Sequence, residues 1–401
     1  MPKTTAVRAS AFAAGAAALA AVVPVALNAA AAPADGDRDR RASAPDAPSA
    51  SAAASCAARE TDGMNLEQQA GQLFVSGVDA DEPTGEQVAA VRDLHLGGVI
   101  LTGGSDAGVK ATRQVSDRVQ AAATTGGVRL WVSADQEGGK VQHLKGSGFA
   151  TMPTAVEQGK LAPDELRSRA EGWGGQLHAA GVNVNLAPVL DTVPADLGGD
   201  NKPVGFLERN YGNTPEAVTD HGTAYQQGMA DAGVTPAVKH FPGLGRVLGN
   251  TDDTKDVKDD VTTRDDAYLE PFRAAVGARS SPLVMISSAR YTKIDPDHMA
   301  AFSSTVLTDM LREDLAFDGV IVSDDLGAAA AVEDVPAGER ALRFLTAGGS
   351  VVLSVDAGKL PAMVDAVLQR ARSDEQFRTR VETEARRVVE AKAAAGLLDC
   401  G

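Results

Sequence analysis

Residues 234–254 read VTPAVKHFPGLGRVLGNTDDT. A short apolar run stops at a cation, Lys239, and an imidazole, His240, and a proline, three glycines and two acids follow. The first half reads as a strand buried on both faces, and the second as a polar strand end running into a loop. Working outward, the same figure recurs in QLFVSGV (72–78), GGVILTGG (97–104), VRLWVSAD (128–135), VNVNLAPVLD (182–191), PLVMISSA (282–289), GVIVSDD (319–325) and GSVVLSVD (349–356). Helix-like segments lie between them, among them EQVAAVRDLH (86–95), AVTDHGTAYQQGMADAG (217–233), DDAYLEPFRAAVGA (265–278) and SSTVLTDMLREDLA (303–316). Strands apolar on both faces that alternate with helices make a parallel sheet. Eight such units predict an α/β fold, a single TIM-type (β/α)8 barrel over residues 61–401. An open doubly wound sheet is the alternative, but no GxGxxG follows the first strand.

The N-terminus has another character. Lys3 and Arg8 precede a charge-free Ala/Val-rich run from Ala11 to Ala32. This predicts a signal peptide over 1–32 and a secreted protein, with an uncleaved membrane anchor as the alternative. Residues 33–60, rich in Ala, Ser, Pro and Asp, read as a disordered linker. Loss of Lys3 and Arg8 would move the net charge from −16 to −18. So acidic a surface argues against nucleic acid and anionic membranes as partners. A monomer is expected. Cys56 and Cys400 are the two cysteines, and in an exported chain they are expected to pair.

Function on a barrel of this kind sits at the C-terminal strand ends. Here those ends carry Asp135 and Glu137, Asp191, Lys239 and His240, and Asp324 and Asp325. Carboxylates are costly to bury unless paired, so a set converging on one rim reads as a polar site, although any single one serves equally well as structural support. Paired carboxylates beside a cation suit glycosidic-bond cleavage, with Lys239 and His240 placed to bond sugar hydroxyls. HExxH, a Cys/His cluster and a GxSxG nucleophile elbow are all missing, so metal and serine hydrolysis are poor readings and no cofactor is expected.

SADQEGGKVQHL (133–144), NVNLAPVLD (183–191), ERNYG (208–212), VKHFPGLG (238–245) and the block from Met285 to Leu326 resemble glycoside hydrolase family 3, in its single-domain bacterial β-N-acetylglucosaminidase branch. The resemblance implies a retaining β-N-acetylhexosaminidase releasing N-acetylglucosamine from cell-wall or chitin-derived glycans. It implies Asp324 of SDDL as the catalytic nucleophile, and Asp135, Arg209, Lys239 and His240 as sugar ligands. Asp325 and Glu137 read as supports.

The chain also departs from that pattern. The branch follows KHFPGHG with four residues and then DSH, whose histidine is the general acid/base. Here Leu244 replaces the first histidine, and Asn250-Thr251-Asp252 stands where DSH belongs. Lys140 and His143 occupy positions where the branch carries arginines, and His143 is a further substrate-binding candidate. Two expectations compete. Asp252, with Asp253 behind it, takes over as acid/base on a loop freed by Gly243, Gly245 and Gly249. Otherwise the protein is a glycan-binding relative with impaired turnover. β-Glucoside or β-xyloside cleavage also stays open.

Overall fold

The computed structural model describes residues 50–278 and 280–399. Eight parallel strands close into a barrel: β1 (Phe74–Asp79), β2 (Gly98–Thr102), β3 (Trp131–Ala134), β4 (Val184–Asn185), β5 (Thr235–Phe241), β6 (Leu283–Ile286), β7 (Ile321–Asp325) and β8 (Val351–Ser354). Each pairs with its neighbours in sequence, and β8 returns to β1 through Phe74↔Val352 and Ser76↔Ser354. All eight runs identified in the sequence are therefore barrel strands. Their apolar residues are buried almost throughout, each contributing about 1.5–3 kcal/mol for a fully covered Val, Leu, Ile or Phe.

Local chemistry sets the helix starts. Thr84 accepts the N–H of Gln87 while the Gln87 side chain returns to the Thr84 N–H, a reciprocal cap on the helix after β1. Thr214 caps the helix Pro215–Asp231 after β4, whose first residue is a proline that needs no hydrogen-bond acceptor. Gly348, at φ 116°, ends the helix Ala337–Ala347 in a left-handed turn that leads into β8.

The expected linker over 33–60 needs correction at its end. Ala50–Asp62 is a helix, packed on the last helix, Glu375–Ala394. Alanine has the highest helix propensity, and Ala53 and Ala57 lie buried against Val389, Ala393 and Val128. A composition that looks disordered becomes helical because one face has somewhere to go. The signal-peptide segment 1–32 and the rest of the linker lie outside the described residues. Among the described residues no helix is long and apolar enough to cross a membrane. Cys56 is buried on this first helix, and its expected partner Cys400 lies outside the described residues.

The last helix also seals the barrel at the N-terminal ends of the strands. Lys392 is fully buried there, and its Nζ donates to Gln72 Oε1 and the Gly97 carbonyl, both at 2.7 Å. The Trp131 ring lies 5.3 Å away. No carboxylate pairs with this lysine among the described residues, and burial lowers its pKa from 10.5 to about 7. Between those values the unfolded chain holds a proton that the native state sheds. Stability therefore rises with pH across that window, by at most about 1.4 kcal/mol per unit. Urea titrations across the window should show the midpoint climbing in the wild type and staying level in Lys392→Met. Parallel curves for the two proteins would contradict this account.

Candidate active site

The C-terminal strand ends surround a cavity of about 350 Å³. Asp135, His143, Arg209, Lys239, His240, Asp252 and Asp324 all line it. These seven candidates from the sequence are thus gathered in one place, although their positions span almost 190 residues of chain.

Lys239 and His240 are consecutive on β5, and side chains on a strand ordinarily alternate between faces. The peptide between them is cis, and both side chains reach the cavity. Lys239 is buried, which alone would lower its pKa. Asp135 at 2.5 Å and Glu137 at 2.7 Å outweigh that loss of water and lift its pKa above the usual lysine value. Glu137 also takes a two-pronged contact from Arg209, with Nε and Nη2 both at 2.8 Å. Burial pushes the Glu137 carboxyl up, but the two cations prevail and bring it down to about 2. Glu137 does not line the cavity. Its work is to fix Arg209 and Lys239, which leaves Asp135 as the network's carboxylate facing the cavity.

His240 is held from the other side. Its Nδ1 lies 2.6 Å from Asp191, which also accepts the backbone N–H groups of His240 at 3.1 Å and Leu244 at 2.8 Å. Asp191 is fully buried, so it acts as an anchor, and Nε2 is left as the ring atom to meet a ligand.

β7 delivers Asp324 and Asp325. Asp325 accepts the N–H groups of Gly327 (2.8 Å), Ala328 (2.9 Å) and Val355 (2.9 Å). It ties the end of β7 to the end of β8. Asp324 accepts one backbone N–H, from Asp325. Burial raises the Asp324 pKa to about 6, with the Asp252 charge adding to the rise and His240, the Asp325 N–H and Lys239 opposing it.

The loop after β5 differs from the freely swinging segment expected from its glycines. Gly245 presses against Thr192, so that a Cβ there would collide with the Thr192 carbonyl. Leu244, Val247 and Thr251 are buried. Asn201 donates to the carbonyls of Leu244 (2.7 Å) and Val247 (2.8 Å), and Arg246 is bound to Asp266 at 2.6 Å over the Tyr268 ring. The tip is held as well: the N–H groups of Ala330 and Ala331 donate to the carbonyls of Asp252 (3.0 Å) and Thr251 (3.1 Å). Gly245 and Gly249 serve close packing rather than freedom, and the loop holds Asp252 at the cavity wall. Asp253 is absent from the lining and meets Thr254 instead, at 2.8 Å. Asn201 had no signal in the sequence, because the carbonyls it donates to, those of Leu244 and Val247, lie more than 40 residues away.

A parallel barrel with carboxylates, cations and an imidazole at its C-terminal mouth is the arrangement of an enzyme that acts on O-glycosyl bonds. The chain belongs to glycoside hydrolase family 3: the profile described as "Glycosyl hydrolase family 3 N terminal domain" matches residues 65–391. It is 32% identical over 334 residues to the beta-hexosaminidase LpqI of Mycobacterium tuberculosis, covering 80% of this chain and 81% of that protein. Among solved structures it is similar to the beta-N-acetylhexosaminidase from Beutenbergia cavernae, at 45% identity and TM-score 0.80, covering 82% of this chain and 98% of that one. A family 3 beta-N-acetylglucosaminidase from Paenibacillus matches at 29% identity and TM-score 0.75, covering 83% of this chain and 64% of that one.

Proposed function

We propose that the protein is a secreted, retaining, exo-acting β-N-acetylhexosaminidase that releases N-acetylglucosamine from cell-wall or chitin-derived glycans. The observation that carries this is one cavity lined by Asp324 and Asp252 together with the sugar-binding set of Asp135, Arg209, Lys239 and His240. A cavity of about 350 Å³ lies at the small end of ligand pockets, which run roughly 300–1,000 Å³. It suits one sugar ring with the leaving group outside, as exo-action requires. The names of the relatives given above favour an amino sugar.

In this reading Asp324 attacks the anomeric carbon while the glycosidic C–O bond breaks. The departing oxygen takes a proton from the Asp252 carboxyl. Asp252, now a carboxylate, then takes a proton from water as that water attacks the anomeric carbon, and Asp324 leaves as a carboxylate. Asp135, Lys239, Arg209 and the Nε2 of His240 hold the ring hydroxyls, and His143 lines the wall beside them. The buried ion network keeps these groups in place before substrate arrives, which lowers the cost of orientation.

Purified protein assayed on chromogenic β-N-acetylglucosaminide, β-glucoside and β-xyloside, with Asp324→Asn as the blank, tests the proposal. Hydrolysis of the first well above the others is expected. Preference for either of the others would reassign the substrate, and silence on all three would favour a glycan-binding role. Export is a separate part of the proposal, and with it goes a Cys56–Cys400 disulfide. A bridge closing so long a loop adds about 3–5 kcal/mol in the chain-entropy model. Mass spectrometry of non-reduced peptides from secreted protein should recover the linked pair, and two alkylated thiols would refute the bridge.

A further inference from the structure

Arg340 lies on the helix Ala337–Ala347, outside the cavity, and is almost wholly buried. All four side-chain hydrogen bonds that it makes among the described residues end on backbone carbonyls of loop 326–336, which follows β7. Nη1 donates to Leu326 (2.8 Å) and Gly327 (2.9 Å), where the loop leaves β7. Nε donates to Val335 (2.7 Å) and Nη2 to Glu333 (3.4 Å), where the loop comes back to the helix. One planar group therefore clasps both ends of the loop. Burying a cation is costly, and well-packed apolar side chains of similar volume often serve stability as well or better. A lysine, with a single ammonium group, cannot span the four carbonyls.

Between its ends the loop touches both halves of the proposed chemistry. Leu326 follows Asp324 and Asp325 directly in the chain, and Ala328 and Ala329 line the cavity. The Ala330 N–H donates to the Asp252 carbonyl at 3.0 Å, and the Ala331 N–H to that of Thr251 at 3.1 Å. These two bonds tie the loop after β5 to the loop after β7. Lys255 also reaches Glu333 at 3.1 Å and Asp334 at 2.9 Å, but such exposed pairs add little. The Asp252 carboxylate and N–H meet Asn250, within the same turn, at 3.4 and 3.3 Å. The placing of Asp252 relative to Asp324 thus depends on a loop whose shape Arg340 fixes.

We infer that Arg340 is a positioning residue: by clasping loop 326–336 it sets the separation of Asp324 and Asp252, and so how well the leaving oxygen is protonated. This rests on the hydrolase reading proposed above and adds to it a determinant from outside the cavity. A retaining pair works across about 5–5.5 Å, so a loop that shifts by about 1 Å costs up to about 10²-fold in the step that needs the acid.

Two variants reach the loop from different ends. Arg340→Met opens the clasp. Ala330→Pro deletes the N–H that holds Asp252, at a position suited to proline: Ala329 has ψ 135° and Ala330 opens a short 3-10 helix. In both, kcat/KM on an unactivated disaccharide of N-acetylglucosamine should fall by about 10–10²-fold, while an aryl glycoside with an acidic leaving group stays within about threefold. Arg340→Lys should fall between Arg340→Met and the wild type. Inhibition by free N-acetylglucosamine should be unchanged, because Asp135, Lys239 and Arg209 are held by another network. The pH profile on the aryl glycoside gives a second readout. Asp324 is faced by His240, Asp252, Lys239 and the Asp325 N–H, and the Asp252 charge raises its pKa. Withdrawal of Asp252 moves the acid limb to lower pH, whereas loss of the Arg340 cation by itself would move it higher. Unchanged or equal rates of loss on the two substrates, or an acid limb that stays or rises, overturn the positioning role and leave the hydrolase reading standing. If Arg340→Met does not fold, Arg340→Lys and Ala330→Pro decide by the same criteria. A wild type that cleaves neither substrate removes both readings.

Discussion

Asparagine in place of Asp324 removes turnover, with kcat expected to fall by about 10⁴-fold or more. The amide matches the carboxylate in shape but cannot form the glycosyl-enzyme, so sugar binding should survive. Substrate affinity in the variant should stay near the wild-type value, because Lys239, Arg209 and Asp135 are held by one another and by Glu137. A slow-turnover 2-fluoro glycoside should add its sugar mass to the wild-type peptide that contains Asp324. As the proposed nucleophile, the same residue should set the acid limb of the pH profile. Only the carboxylate attacks, and its pKa is raised to about 6 by burial first and by Asp252 second. Log kcat/KM on an activated aryl glycoside should therefore bend downward as pH falls through about 6, losing about tenfold per further unit. Product of inverted configuration, or label on another peptide, would reject Asp324 as nucleophile.

The second large effect belongs to Asp252. Asp252→Ala should slow hydrolysis of an unactivated disaccharide by about 10²–10⁴-fold, while aryl glycosides with acidic leaving groups lose far less in the first step. Azide, which needs no base to attack, should restore part of the second step and yield a glycosyl azide. Asp253→Ala should behave as wild type, since Asp253 bonds Thr254 and does not line the cavity. Wild-type rates for Asp252→Ala on the disaccharide would exclude it as acid/base. The loop is anchored through Asn201, Arg246 and the Ala330 and Ala331 N–H groups, which hold Asp252 at the cavity wall.

The barrel was legible because strands buried on both faces leave uninterrupted apolar runs such as GGVILTGG, and these need no partner to be recognised. The mouth was legible because such strands end in charges that a core does not tolerate. What escaped depends on contacts between distant parts of the chain. Gly245 reads as a flexible residue until Thr192 is placed against it. The Ala/Ser-rich stretch before Asp62 reads as linker until Val389 and Ala393 supply a surface for it. Lys140 reads as a mild change where the family branch carries arginine, until Phe206, 66 residues further on, receives its ammonium group. In each case composition is ambiguous and the partner decides.

The helix Ala50–Asp62 runs antiparallel to the last helix: Asp62 meets Arg386 at 2.6 Å, while Ala53 clusters with Ala393. Ala50 therefore lies toward Leu397 and Leu398, which bond Arg129 and Val128 just ahead of β3, at the sealed end of the barrel. The chain enters the folded body on the side away from the mouth. For a sensor chip or a flow column this fixes the choice of attachment: coupling through the N-terminal side of Ala50 presents the sugar cavity to the passing liquid.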